Sequence, residues 1–226
     1  MNGAEILPVQ DGYSLWAAFY DDDGNPLTAI EGPAFAAWFG EVAGHLVVDL
    51  GCGTGRHTRA LVALGARVVA ADLTPAMLDR ARAHPGPSPL GWLRVALPGP
   101  LPFADGSFRL AVLGLVVEHV VELDATFAEV ARILEDGGRC LVSCLHPDRT
   151  AEGQSARFID PQSGSRRPIR TIHRETADYL ASADRAGLRL VEAKSLIVPP
   201  ELGIALPRAL PYVGRTLGWA ACWERA

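Results

Sequence analysis

Residues 46–59 read LVVDLGCGTGRHTR: an apolar run stops at Asp49, and Gly51, Gly53 and Gly55 follow with one residue between each. Glycines between a buried strand and a helix let the backbone pass close to a ligand and leave amide donors at the helix N-terminus. Phosphates are the usual guests of such turns, and a carboxylate at the mouth would repel them. A dinucleotide fingerprint needs G-x-G-x-x-G. Counted from Gly51 its third place holds Arg56, and counted from Gly53 it holds Thr58, so both registers fail. The nucleotide P-loop needs G-K-[ST] after its last glycine, a triplet this chain lacks.

A ligand without phosphate fits better. S-adenosylmethionine joins a zwitterionic methionine portion and a sulfonium cation to ribose and adenine. Asp49 suits the cationic portion, directly or through water, and nearby helix amides suit the carboxylate. Asp72 ends the next strand 21 positions after Gly51, where an acid can accept from both ribose hydroxyls.

The elements that must hold these residues alternate. Strands are expected at 45–51, 66–72, near LRVALPG, at 108–117, in RCLVSCL, in LRLVEAKSLIV and in LGWAACWE. Between them lie helical patterns: RHTRALVALG, LTPAMLDRARAH with Thr74 as N-cap and Pro75 behind it, LDATFAEVARILEDGG with Asp124 at its start, and TADYLASADRAG. Strands separated by helices imply a parallel sheet covered on both faces. Two regions fall outside this pattern. Near the N-terminus a short aromatic helix precedes a second one that starts at Asn25 and Pro26. Residues 147–170 are polar, proline-bearing and aperiodic, as lids and binding segments are.

The ordered set VVDLGCGTGRHT, VVAADLTPAML, LPFADGSFRLAVL, VVEHV, EVARILEDGGRCLVS and CLHP resembles class I S-adenosylmethionine-dependent methyltransferases of the small-molecule methyltransferase-domain type, from about Tyr13 to Val191. WAAFYDDDGNPL resembles the N-terminal cap of that group. The resemblance implies an α/β, Rossmann-like, doubly wound sheet of seven strands in the order 3-2-1-4-5-7-6, with strand seven antiparallel and a helical cap. It implies one domain over 1–226: a cap at 1–44, a cofactor-binding core at 45–146, a lid or substrate loop at 147–172, and a C-terminal helix and strands at 173–226. It assigns Asp49, Gly51, Gly53 and Gly55 to the methionine end of S-adenosylmethionine and Asp72 to the ribose. Leu73 is expected against adenine, with the backbone at Leu115 and Val116 completing the pocket. Two positions depart from the family pattern. Leu97 stands where relatives carry an acid that contacts the adenine amino group, and Arg109 stands where they often have Asp.

Ligands of open α/β sheets sit beyond the carboxyl ends of the strands. His119 follows the fourth strand and His146 the fifth, which are neighbours in the implied order. Should the acceptor need to lose a proton, His146 is the first expected base and His119 the second. Tyr13, Trp16 and Tyr20 are expected to roof an acceptor, with His173 a further contact. Each has a plainer reading as packing or loop anchorage.

A length of 226 residues with 49% hydrophobic content suits one ordinary domain. No run approaches the roughly 20 apolar residues of a membrane span. The opening MNGAEILPVQDG carries no basic region followed by an apolar block, so a cytoplasmic protein without a leader is expected. The charge of −5 argues against a nucleic-acid partner. Cys140 and Cys144 are four residues apart on one strand, about 13 Å, too far for a disulfide or a shared metal; no metal is expected. The expected activity is methyl transfer to a small-molecule acceptor at O, N or C, in specialised metabolism. A fold relative with a non-methylating reaction or a binding role, and a nucleic-acid methyltransferase, remain as alternatives.

Overall fold

The computed structural model describes residues 5–226; residues 1–4, where the stretch read for a leader begins, lie outside it. Helices α1 (Val9–Trp16) and α2 (Pro26–Ala36) precede β1 (Leu46–Leu50), α3 (Arg56–Ala63), β2 (Arg67–Asp72), α4 (Pro75–Ala83), β3 (Gly91–Arg94) and β4 (Phe108–Gly114). Then come α5 (Leu123–Ile133), β5 (Leu134–Leu145), α6 (Pro147–Ala151), β6 (Arg157–Ile159), β7 (Arg166–Pro168), α7 (Thr176–Arg185), β8 (Leu188–Ile197), α8 (Pro200–Ala205) and β9 (Thr216–Arg225). Seven strands form one sheet in the order β3-β2-β1-β4-β5-β9-β8, with β9 antiparallel to both neighbours. This is the expected order.

Successive strand residues point to opposite faces, and both faces are apolar. Val48, Leu50, Ala111, Leu113, Cys140 and Val142 pack beneath α5 and α7 with Phe127, Ile133 and Tyr179. Val47, Leu110, Val112, Leu141 and Ala220 pack on the other side with Phe35 of α2 and Leu61 of α3. Each fully buried Val, Leu, Ile or Phe side chain among them contributes about 1.5–3 kcal/mol. The central strands are held from both sides, which fixes the positions of their carboxyl ends. All four cysteines are buried and free.

Several local expectations are corrected. The third strand is Gly91–Arg94, ahead of the ALPG turn. β4 ends at Gly114, because Leu115 adopts a φ of +61° and breaks the extended run. The N-cap of α5 is Glu122, which leaves Asp124 inside its first turn. Thr74 makes no side-chain cap bond; the carboxylate of Asp72 takes its amide instead. The segment after β5 is not a plain loop. Residues 147–151 form α6, and β6 and β7 pair antiparallel, closed by a turn whose amides donate to Asp160 Oδ1. That hairpin packs on the N-terminal cap: Trp16, Phe158 and Ile169 share a small core, and Leu7 and Pro168 are joined through backbone. Asn25 does cap α2, its Oδ1 accepting from the amide of Leu27 at 2.9 Å.

Candidate active site

The glycine turn is pinned at both ends. The amides of Gly51 and Cys52 donate to the carbonyl of Ala71 on β2 at 2.7 and 2.9 Å. Gly51, Gly53 and Gly55 have φ of +73°, +54° and +87°, a region that costs a side chain strain. At Gly51 a Cβ would also stand 2.3 Å from Val116 Cγ2, so bare backbone is required there. At Gly53 a Cβ would meet nothing within 4 Å: this glycine faces open space.

Asp72 closes the turn. Its Oδ2 accepts from the amide of Gly53 at 2.8 Å and its Oδ1 from the amide of Thr74 at 2.7 Å. Burial raises its pKa, and those two amides pull it back. Asp49 lies behind the turn, its Oδ2 accepting from Thr58 Oγ1 of α3 at 2.6 Å, and burial raises its pKa as well. Thr54 Oγ1 reaches Asp21 at 2.7 Å and so ties the turn to the cap.

One cavity opens beside this turn, and a second shares part of its wall. The first, of about 230 Å³, is walled by Gly51, Gly53 and Asp72, by Leu73 and Leu97, and by Leu115 and Val116, with Tyr13, Tyr20 and His119 across from them. Asp49 and Gly55 are not in its wall; Gly55 packs toward Trp92, 3.1 Å from where its Cβ would stand. The second, of about 370 Å³, is walled by Tyr13, Trp16, Tyr20 and Leu115, by Glu118 and Leu145, and by Arg157 of the hairpin and Tyr212. Tyr13, Tyr20 and Leu115 belong to both.

The histidines separate. His119 Nδ1 lies 2.6 Å from the carbonyl of Arg170, which can only accept, so Nδ1 carries the proton and Nε2 takes the hydroxyl of Tyr13 at 2.9 Å. Burial drives its pKa down to about 4, so it is a neutral ring with both nitrogens engaged. His146 and His173 line neither cavity. His146 caps α6, with Nδ1 accepting from the amide of Asp148 and Nε2 3.3 Å from Ser195 Oγ. His173 is exposed and bonded to Thr150 and Glu175. His146, the first expected base, thus stands outside both cavities, with its ring on the Asp148 amide and directed toward Ser195 of β8. His173, expected as an acceptor contact, likewise lies away from both cavities, held by Thr150 and Glu175.

Three residues of this region were not anticipated. Glu31 of α2 is fully buried; its Oε1 accepts from His57 Nε2 at 3.0 Å and Ser143 Oγ at 2.9 Å, and its Oε2 lies 2.6 Å from Arg56 Nη1. Burial raises its carboxyl pKa, and its contacts with His57 and Arg56 more than reverse this, holding it at about 2. Ser143 Oγ in turn accepts from the amide of Leu115 at 3.0 Å, which helps hold Leu115 in its positive-φ conformation where the cavities meet. Glu118 Oε1 accepts from the amide of Leu145 at 3.2 Å, while its Oε2 has no partner among the described residues. Burial pushes this carboxyl up to about 7.

A family model described as "Methyltransferase domain" matches residues 48–142. The uncharacterized methyltransferase AN0656 of Emericella nidulans is 33% identical to the chain, over 83% of this chain and 78% of that protein. This chain belongs to the methyltransferase-domain family. Demethylmenaquinone methyltransferase of Tropheryma whipplei is 36% identical over 66% of this chain and 64% of its own. The crystal structure of an S-adenosylmethionine-dependent methyltransferase from Mesorhizobium loti superposes with a TM-score of 0.73 at 27% identity, covering 87% of this chain and 98% of that one. The methyltransferase uses S-adenosylmethionine, which supplies an electrophilic methyl group on a sulfonium. The first cavity suits such a ligand: bare backbone faces it at Gly53, and the Asp72 carboxylate, with lone pairs still free, stands in its wall. Among the described residues no helix is long and apolar enough to cross a membrane.

Proposed function

We propose that the two cavities are the halves of one methyl-transfer site, with S-adenosylmethionine in the first and a small-molecule acceptor in the second. The carrying observation is their shared wall: Tyr13, Tyr20 and Leu115 face both spaces. In this reading Asp72 binds the ribose hydroxyls, and Gly51 and Gly53 pass beneath the methionine end. Leu73 and Leu97 form apolar wall beside adenine. Asp49 acts from behind, by tying α3 to β1 through Thr58 and by placing charge beneath the turn.

In-line displacement is accelerated chiefly by alignment of the acceptor atom with the methyl carbon. Leu115, held through Ser143 and Glu31, sets the boundary across which the two must meet. His119 orients Tyr13, which together with Tyr20 separates the two ligands. Enclosure of the second cavity by α1, Tyr212 and the hairpin suits a free small molecule rather than a base within a polymer.

Calorimetry with S-adenosylhomocysteine tests the placement. Asp72→Ala removes the ribose acceptor and should weaken binding by about 1.5–3 kcal/mol, whereas Tyr212→Trp, which narrows the second cavity, should leave it unchanged. Equal losses in both variants would refute the division of labour.

A further inference from the structure

Two residues that line the second cavity each carry a buried polar atom without a partner among the described residues: Trp16 Nε1, a donor, and Glu118 Oε2, an acceptor. Both residues are 3% exposed. Unpaired buried groups of this kind are costly and ask for an explanation. Neither histidine follows as the proton acceptor, since His119 is saturated by Tyr13 and Arg170 and His146 lies outside the cavity. Glu118 remains. It stands one position before His119, directly beyond β4, and its other oxygen is fixed by the Leu145 amide at the end of β5.

We propose that Glu118 Oε2 takes the proton from a ring hydroxyl, phenolic or enolic, held in the second cavity among Tyr13, Trp16, Tyr20 and Tyr212, so that the acceptors are flat hydroxylated molecules rather than amines. The inference rests on the two-cavity reading. In the step, the acceptor oxygen forms its bond to the methyl carbon and its O–H bond breaks. The proton passes to the Glu118 carboxylate, and the pair of electrons of the carbon–sulfur bond stays on sulfur as a neutral thioether. The carboxylic acid then returns its proton to water. Where the ring carries a second oxygen, Trp16 Nε1 donates to it. An amine offers its own lone pair and leaves the carboxylate without a task.

The surroundings isolate Glu118 as the group that changes charge near neutrality. Tyr13 and Tyr20 of the cap, Cys144 of β5 and Tyr179 of α7 interact with it, and burial pushes all four upward, Tyr20 to about 12. Glu31 is already held at about 2 and His119 at about 4. Arg174 faces the same region with its guanidinium on the carbonyls of Val117 and Val120. The value of about 7 at Glu118 suits a base working at neutral pH.

The test uses the full chain with 2-naphthol and its isostere 2-naphthylamine. Infrared difference spectra of the S-adenosylhomocysteine-bound protein, wild type against Glu118→Gln, should show one carboxylic acid that ionises near neutral pH. Adding 2-naphthol should perturb that band. Transfer of labelled methyl from S-adenosylmethionine should reach 2-naphthol and not 2-naphthylamine, and should fall roughly 10²–10⁴-fold in Glu118→Gln, with loss of the acidic limb of the rate profile and unchanged cofactor affinity. Glu118→Asp keeps a carboxylate and should restore part of both signals if Glu118→Gln folds poorly. Absence of a titrating band that 2-naphthol perturbs, full turnover in Glu118→Gln, or label on the amine alone would overturn the proposal. Failure to bind S-adenosylhomocysteine, or competition between it and 2-naphthol, would overturn the two-cavity reading instead.

Discussion

Glu31 and Glu118 are both buried carboxylates within reach of Leu115, yet the protein treats them in opposite ways. Glu31 stands on the side of the glycine turn and meets His57, Ser143 and Arg56, so its charge is matched and its pKa sits at about 2. Glu118 faces the second cavity with one amide and one empty oxygen, and its pKa rises to about 7. The same contrast extends to their neighbourhoods. Around the first cavity the acids Asp49 and Asp72 each have donors from the protein itself. Around the second, Trp16 Nε1 and Glu118 Oε2 wait for a partner. In the proposed two-cavity reading, the cofactor side is completed by the fold, and the acceptor side is completed only by its ligand.

The largest expected effect tests the completed half. Glu31→Ala leaves Arg56, His57 and Ser143 without their common acceptor, and breaking a buried charge network in this way costs about 3–5 kcal/mol. Urea unfolding at neutral pH should show that loss, and S-adenosylhomocysteine affinity should fall with it, because the Ser143 hydroxyl loses its anchor and the Leu115 amide keeps only the Ser143 carbonyl at 3.1 Å. A drop in stability without a drop in affinity would mean that Glu31 supports the core and not the site. The sign of the pH dependence follows from its depressed pKa. The contribution of Glu31 is present above the ordinary value of 4.5 and is lost as pH falls from there toward about 2.

Glu118 should behave in the reverse sense. Its folded pKa is raised, so ionising it in place costs stability as pH climbs from 4.5 to about 7. Glu118→Gln removes that charge and should stabilise the ligand-free protein by at most about 3 kcal/mol at pH 8, with the gain fading to nothing by pH 4.5. Melting temperatures of the two proteins across that range would show it. A variant no more stable than wild type at pH 8 would mean that the carboxylate has a partner after all. Loss of function joined to gain of stability is what a strained site predicts.

How much of this was legible in the chain differs between the same two halves. Seven strands with helices between them, the glycine turn and Asp72 at a strand end are local patterns, and sequence carries local patterns directly. The acceptor half depends on where distant segments meet. Glu118 sits inside LGLVVEHVV, where an isolated acid among apolar residues is a usable signal, but only packing of α1 and β5 against it leaves one oxygen bare. His146 shows the converse. Its place after β5 was read correctly, yet position at a strand end does not give the direction of a ring, and the start of α6 at Pro147 turned this one toward Ser195. The hairpin of β6 and β7 was missed because three-residue strands are too short to show a period.

The smallest effect sharpens the comparison from inside the cofactor cavity. Leu97 is half-buried in its wall and packs on the main core, so that wall is apolar where related chains carry an acid. A carboxylate there would gain a bond to an amino group on the adenine and lose both its hydration and the packing of the leucine. The two nearly cancel, and Leu97→Asp should tighten S-adenosylhomocysteine by about 1 kcal/mol at most. Leu97→Asn keeps the shape without the charge and should bind no better than wild type. Calorimetry on the pair decides the matter: Asp tighter than Asn places adenine at Leu97 and marks it as the one part of the first cavity left unfinished. If both variants weaken binding alike, Leu97 serves packing alone, and the completed half has no exception.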